Sequence, residues 1–147
     1  MKFAHSWTWR SLESQSTLHA NVMGGSVHYL INCPDLLPAH EMRTVSLRAK
    51  VMALRSLQKE IDLYQRCPKA VNVDNILLTI FVLAIHHGVV SNPPSLHKSP
   101  LGACRDLGIY SRMSFGQEHM EAMYTLIEQR GGVKSLCDDT FGCVVPM

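Results

Sequence analysis

The decapeptide Ile76-Leu77-Leu78-Thr79-Ile80-Phe81-Val82-Leu83-Ala84-Ile85 constrains the fold of this chain more than any other stretch. It is apolar on every side, interrupted only by Thr79. A membrane crossing needs about 20 apolar residues, so ten fall well short of a span. A water-soluble element with no polar face must instead be covered all round by other parts of the chain. Asn72 and Asp74 stand just before it and can accept hydrogen bonds from the first free backbone N–H groups of a helix. The pattern runs on to His87, and Gly88 offers a stop. A helix over Asp74–His87 is therefore the reading, in preference to a buried strand.

Three further helices can be read around it. Ala39 to Arg66 contains no Gly or Pro and ends where Cys67-Pro68 forbids continuation. Its apolar residues step by three or four: Val51, Leu54, Leu57 or Gln58, Ile61 and Tyr64, with an earlier row of Met42, Val45, Ala49 and Met52. Arg48, Arg55, Lys59, Asp62 and Arg66 take the other side. Upstream, Leu12 to Ile31 reads as a helix with Leu18, Val22, Ser26, Tyr29 and Leu30 roughly on one face, although Gly24 and Gly25 each cost about 1 kcal/mol there. Pro34 and Pro38 punctuate the connector. Downstream, Ser114 with Gln117 three residues on is a capping-box pattern. Met120, Met123, Tyr124 and Ile127 follow on one face, Arg130 sits in the last turn, and Gly131 supplies a left-handed stop. Ser91 to Arg112, with Pro93, Pro94, Pro100, Gly102 and Gly108, reads as a long loop. No strand alternation or internal repeat stands out. The expected fold is all-α, built of antiparallel helical hairpins or a bundle. It comprises an N-terminal helical segment (1–38), a main helical region (39–136, with its loop at 91–113) and a tail (137–147).

Length and composition suit one domain with a real core: of 147 residues, 46% are hydrophobic and 18% charged, which excludes chain-wide disorder. The net charge of +2 is a small surplus for a nucleic-acid binder. Between Glu41 and Arg66 the six Lys or Arg are interleaved with three Asp or Glu, as on a solvated face. The odd set Cys33, Cys67, Cys104, Cys137 and Cys143 is not a secreted disulfide framework. The first ten residues lack the apolar run of a secretory signal. A reducing compartment, nucleus or cytosol, is the expectation, with no membrane association.

The candidate chemistry reads mostly as structure. The cysteines step by 34, 37, 33 and 6 residues, with no Cys-x-x-Cys pair for zinc. His86 and His87 are neighbours, pointing about a hundred degrees apart on a helix, and read as a helix end near solvent. Glu118, His119 and Glu121 could serve acid–base chemistry but read as a polar stripe. Asp138-Asp139 reads as a solvated turn. Gly131-Gly132-Val133-Lys134-Ser135 lacks phosphate-loop spacing and follows a helix, where the dipole repels anions. Trp7 and Trp9 suit either a core anchor or an interface. No catalytic, cofactor or metal residue is assigned, and the chain is expected not to be an enzyme.

Taken together, Ala-Leu-Arg-Ser-Leu-Gln-Lys-Glu-Ile (53–61), the capped apolar helix from Asp74 to His87, and His119-Met-Glu-Ala-Met-Tyr-Thr-Leu-Ile-Glu-Gln-Arg-Gly-Gly (119–132) resemble the fungal-specific transcription factor domain. That domain is the middle, regulatory region of zinc binuclear cluster transcription factors. The resemblance covers residues 40 to 136, and Arg130-Gly131-Gly132 matches its recurring helix end. The family's DNA-binding head, with six closely spaced cysteines, has no counterpart here, and the family's middle region is much longer. The resemblance implies an all-helical regulatory or interaction domain in the nucleus. A protein partner or self-association, or a small effector, would be bound without direct sequence-specific DNA contact. It implies no catalytic residues; His119 and Arg130 match its pattern and are read as packing and helix-end residues. Two rival readings are a small helical metal- or ligand-binding protein or enzyme using His86, His87 or His119, and a non-functional fragment of a larger gene product.

Overall fold

The structure is a computed structural model that describes residues 9, 11–33, 39–89 and 109–135. Among them are four α-helices: α1 (Gln15–Asn32), α2 (Ala39–Arg66), α3 (Val73–Ile85) and α4 (Gln117–Gln129). The fold is all-α. None of these helices is long and apolar enough to cross a membrane. Most of the expected loop, the tail, Trp7, Cys104, Cys137, Cys143 and Asp138-Asp139 lie outside the described residues.

Cross-links between the helices establish their directions. Ser14, at the start of α1, bonds Glu60 near the end of α2, so α1 and α2 form an antiparallel hairpin. Thr17 meets Thr79 and His28 meets His86, so α3 runs with α1. Arg130, just past α4, bonds Asp74 in the first turn of α3, and the Gly116 N–H donates to the Ala84 carbonyl (2.9 Å), so α4 runs back along α3. The result is an up-down-up-down bundle. α3 packs against α1, α4 and α2 and is buried from Val73 to Ile80 and again from Val82 to Ala84. The cover that its all-round apolarity demands is thus supplied by three helices.

Helix ends follow local chemistry. The Asn72 side chain caps α3 by accepting from the Asp74 N–H at 3.0 Å. α4 ends in a Schellman arrangement: the Gly131 N–H donates to the Glu128 carbonyl and the Gly132 N–H to that of Ile127, both at 2.9 Å, with φ of 98° and 87° at the two glycines. Other expectations are corrected. Ser114 caps nothing. It lies in a two-residue antiparallel pairing of β1 (Gly88–Val89) with β2 (Met113–Ser114), and α4 starts after Gly116 without a side-chain cap. That pairing also displaces Gly88 as the stop of α3, which ends at Ile85 with His86 as its C-cap. α1 starts at Gln15 because the Ser14 hydroxyl caps the Thr17 N–H. Its buried face is Thr17, Ala20, Met23, Gly24, Val27 and Ile31, whereas Leu18 and Val22 face outward. Among the described side chains of α2, Ala49, Ala53 and Leu57 are buried. Small residues there let α1 and α2 approach closely, and Val45, Val51, Met52 and Leu54 are left exposed.

Leu83 has no exposed surface. Leu83→Asp places an unpaired charge in the α3 sheath at a cost of several kcal/mol, comparable with the whole stability of a small domain. Loss of helical circular dichroism and of a cooperative thermal transition is expected.

Candidate functional site

Three side-chain groupings stand out. The first joins α1, α2 and α3 through hydroxyls. Ser14 and Ser16 donate to the two carboxylate oxygens of Glu60 at 2.8 and 2.7 Å. Thr79, the one polar residue inside the apolar run, lies 3.0 Å from Ser16 and 2.9 Å from Thr17, and its hydroxyl donates to the Asn75 carbonyl at 2.8 Å. Ser16, Thr17 and Thr79 have no exposed surface. Buried hydroxyls must be bonded, and these are bonded to one another and to one carboxylate. Both oxygens of Glu60 accept from these serines, so the cluster ties α1, α2 and α3 in one register.

The second grouping is a pair of histidines. His86 is buried, contrary to its expected place near solvent. Its Nδ1 lies 3.0 Å from the Val82 carbonyl, which can only accept, so Nδ1 carries the proton. Nε2 is then an acceptor, and it meets Nε2 of His28 at 3.1 Å, where His28 must donate. Burial, above all, pushes the His86 pKa below its ordinary value of 6.5; the Val82 bond opposes this, and His28 adds to the lowering. Gly24 makes the site: a Cβ there would stand 3.3 Å from three atoms of the His86 ring. His87 points elsewhere, toward His119, with ring centroids 6.1 Å apart. The His119 pKa is likewise lowered, by burial first and then by Lys50 and His87, against a raising effect of Glu118. Glu118 and Glu121 are exposed. The three histidines singled out from sequence are thus divided between two places, and His28, the partner of His86, was missed because 58 residues separate them. No group of three or more metal-ligating side chains assembles among the described residues.

The third grouping is a surface. Leu47, Val51 and Leu54 are exposed along one flank of α2, Leu47 to 66%. The flank continues into an open groove of about 300 Å³. Ile61, Tyr64 and Gln65 of α2 form one wall, Ile76 and Ile80 of α3 lie in the groove, and Thr125, Leu126 and Gln129 of α4 form the other wall. Comparison with protein-family models, curated proteins and solved structures yields no match.

Two outcomes test the histidine site. Gly25 faces open space, so Gly25→Ala should raise stability by about 0.5–1 kcal/mol through helix propensity. Gly24→Ala should lower it, because a ring held at both nitrogens cannot give way; thermal melts of the two variants separate the effects. Because His86 and His119 take up protons less readily folded than unfolded, stability should be full above pH 6.5 and fall as the pH drops below it. Urea unfolding between pH 7.5 and 5 reads this slope, and His86→Asn should reduce it to the share contributed by His119.

Proposed function

We propose that the chain is a regulatory protein-interaction module, as its resemblance to the middle region of fungal zinc binuclear cluster transcription factors implies. It acts in the nucleus through a bound protein. The observation that carries this reading is the exposed apolar flank of α2 running into the α2/α4 groove. Large aliphatic side chains aligned on one helix and left in water are the usual mark of an interface. The groove is open to solvent and walled by two helices, which suits the side chains of a partner helix better than an enclosed effector. A metal-binding role would have to start from His28 and His86, whose two nitrogens lack a third donor among the described residues.

The test is transcriptional. Fused to an unrelated DNA-binding domain, the full chain should change reporter output relative to that domain alone. Leu47→Lys with Val51→Lys should return output to baseline while leaving the melting temperature unchanged, since two anchor side chains are worth about 2–3 kcal/mol of partner affinity. An unchanged reporter would refute the regulatory role.

A further inference from the structure

The exposed flank of α2 carries a heptad. Leu47, Val51, Leu54, Gln58, Ile61 and Gln65 follow steps of 4, 3, 4, 3 and 4 residues, the spacing of a coiled-coil seam. All but Ile61 are exposed, and Ile61 is half-buried at the groove. The seam extends over about 27 Å of helix axis at 1.5 Å per residue. We propose that its occupant is a second copy of the same chain, with α2 packing antiparallel on α2 of its partner about a two-fold axis. This rests on the reading of the α2 flank as the binding surface and names what covers it.

Shape argues for this occupant. Protruding aliphatic side chains, Leu47 and Val51, stand at one end of the seam. The groove that would receive them, lined by Ile61 and Gln65, lies at the other end. A two-fold interface is self-complementary, so that knobs at one end and a hole at the other fit only when the helices run in opposite directions. In that register Leu47 faces Gln65 across the axis, Val51 faces Ile61, and Leu54 faces Gln58, each pairing occurring twice.

Charge agrees at the seam's outer edge. Arg48, Arg55 and Asp62 each follow a core position of the heptad on the solvent side. The antiparallel register sets Arg48 of one copy beside Asp62 of the other, twice. Gln58 already orients Asp62 by donating to its Oδ1 at 2.8 Å. Arg55 meets its own counterpart near the axis, an unfavourable pair that the two Arg–Asp pairs offset. A parallel pairing would set Arg48 of one copy beside Arg43 of the other and Arg55 beside Lys50, like charges in both places, and would leave both grooves unfilled by the leucines.

Sedimentation equilibrium of the full chain over a micromolar concentration series should show a reversible species of twice the 16.5 kDa monomer. Leu47→Lys with Val51→Lys should weaken dimerisation at least tenfold, with melting behaviour unchanged. Arg48→Asp and Asp62→Arg should each weaken it severalfold, and the two together should restore it. Three results would overturn the proposal: a monomer at every concentration, a dimer indifferent to the lysine pair, or a charge swap that fails to restore association. A monomer that still drives the reporter, and loses that effect with the lysine pair, sinks the dimer and leaves the regulatory reading standing. A dimer without reporter activity does the reverse.

Discussion

Everything in this bundle depends on hiding one short helix from water on all sides. Each large side chain from Ile76 to Leu83 contributes about 1.5–3 kcal/mol only if it is buried, and a helix exposes its side chains in every direction. No single partner helix can satisfy that. The chain answers with two antiparallel hairpins, one supplying α1 and α2 as cover, the other bringing α4 back along α3. The Arg130–Asp74 pair and the Gly116–Ala84 hydrogen bond pin α4 at both ends of α3. The Schellman turn at Gly131 and Gly132 then closes the helix with its last carbonyls satisfied.

Burial is non-directional, and an apolar helix in an apolar sheath could slide or turn. The polar contacts remove that freedom. Thr79 is the only hydroxyl in the run, and it meets Ser16 and Thr17 at one rotation and one height of α3. At the other end, His86 settles into the space that Gly24 leaves on α1 and bonds His28. Displacing α3 by one residue would strand these groups in a dry interior, at about 1–3 kcal/mol each. Small and polar residues on α1 therefore select the register that the aliphatic residues leave open.

The same economy of covering leaves α2 overextended. It has 28 residues against 13 each in α3 and α4, and Leu47, Val51 and Leu54 stand on a side of it turned away from the inward row of Ala49, Ala53 and Leu57. The proposed interaction role rests on that flank, a half-exposed aliphatic seam beside a groove.

Helix content was legible because it rests on local physics. Ala39–Arg66 follows from an unbroken run ended by proline, the start of α3 from the Asn72 cap, and the end of α4 from Arg130-Gly131-Gly132. The all-α class follows from these, and the need to sheath residues 76–85 follows from their apolarity alone. Which face of α1 and α2 turns inward was legible only in part: Ala49 and Leu57 stood in the apolar rows of α2, but on α1 Met23, Val27 and Ile31 share the buried face with Ser16, Thr17, Ala20 and Gly24, small and polar residues that periodicity does not weigh. Ser114 met every local rule for a cap, yet the pairing with Gly88 decided its conformation. The partner of His86 and the engagement of Glu60 were decided in tertiary structure, since their contacts join residues 44 to 58 positions apart, and no spacing rule reaches across that distance.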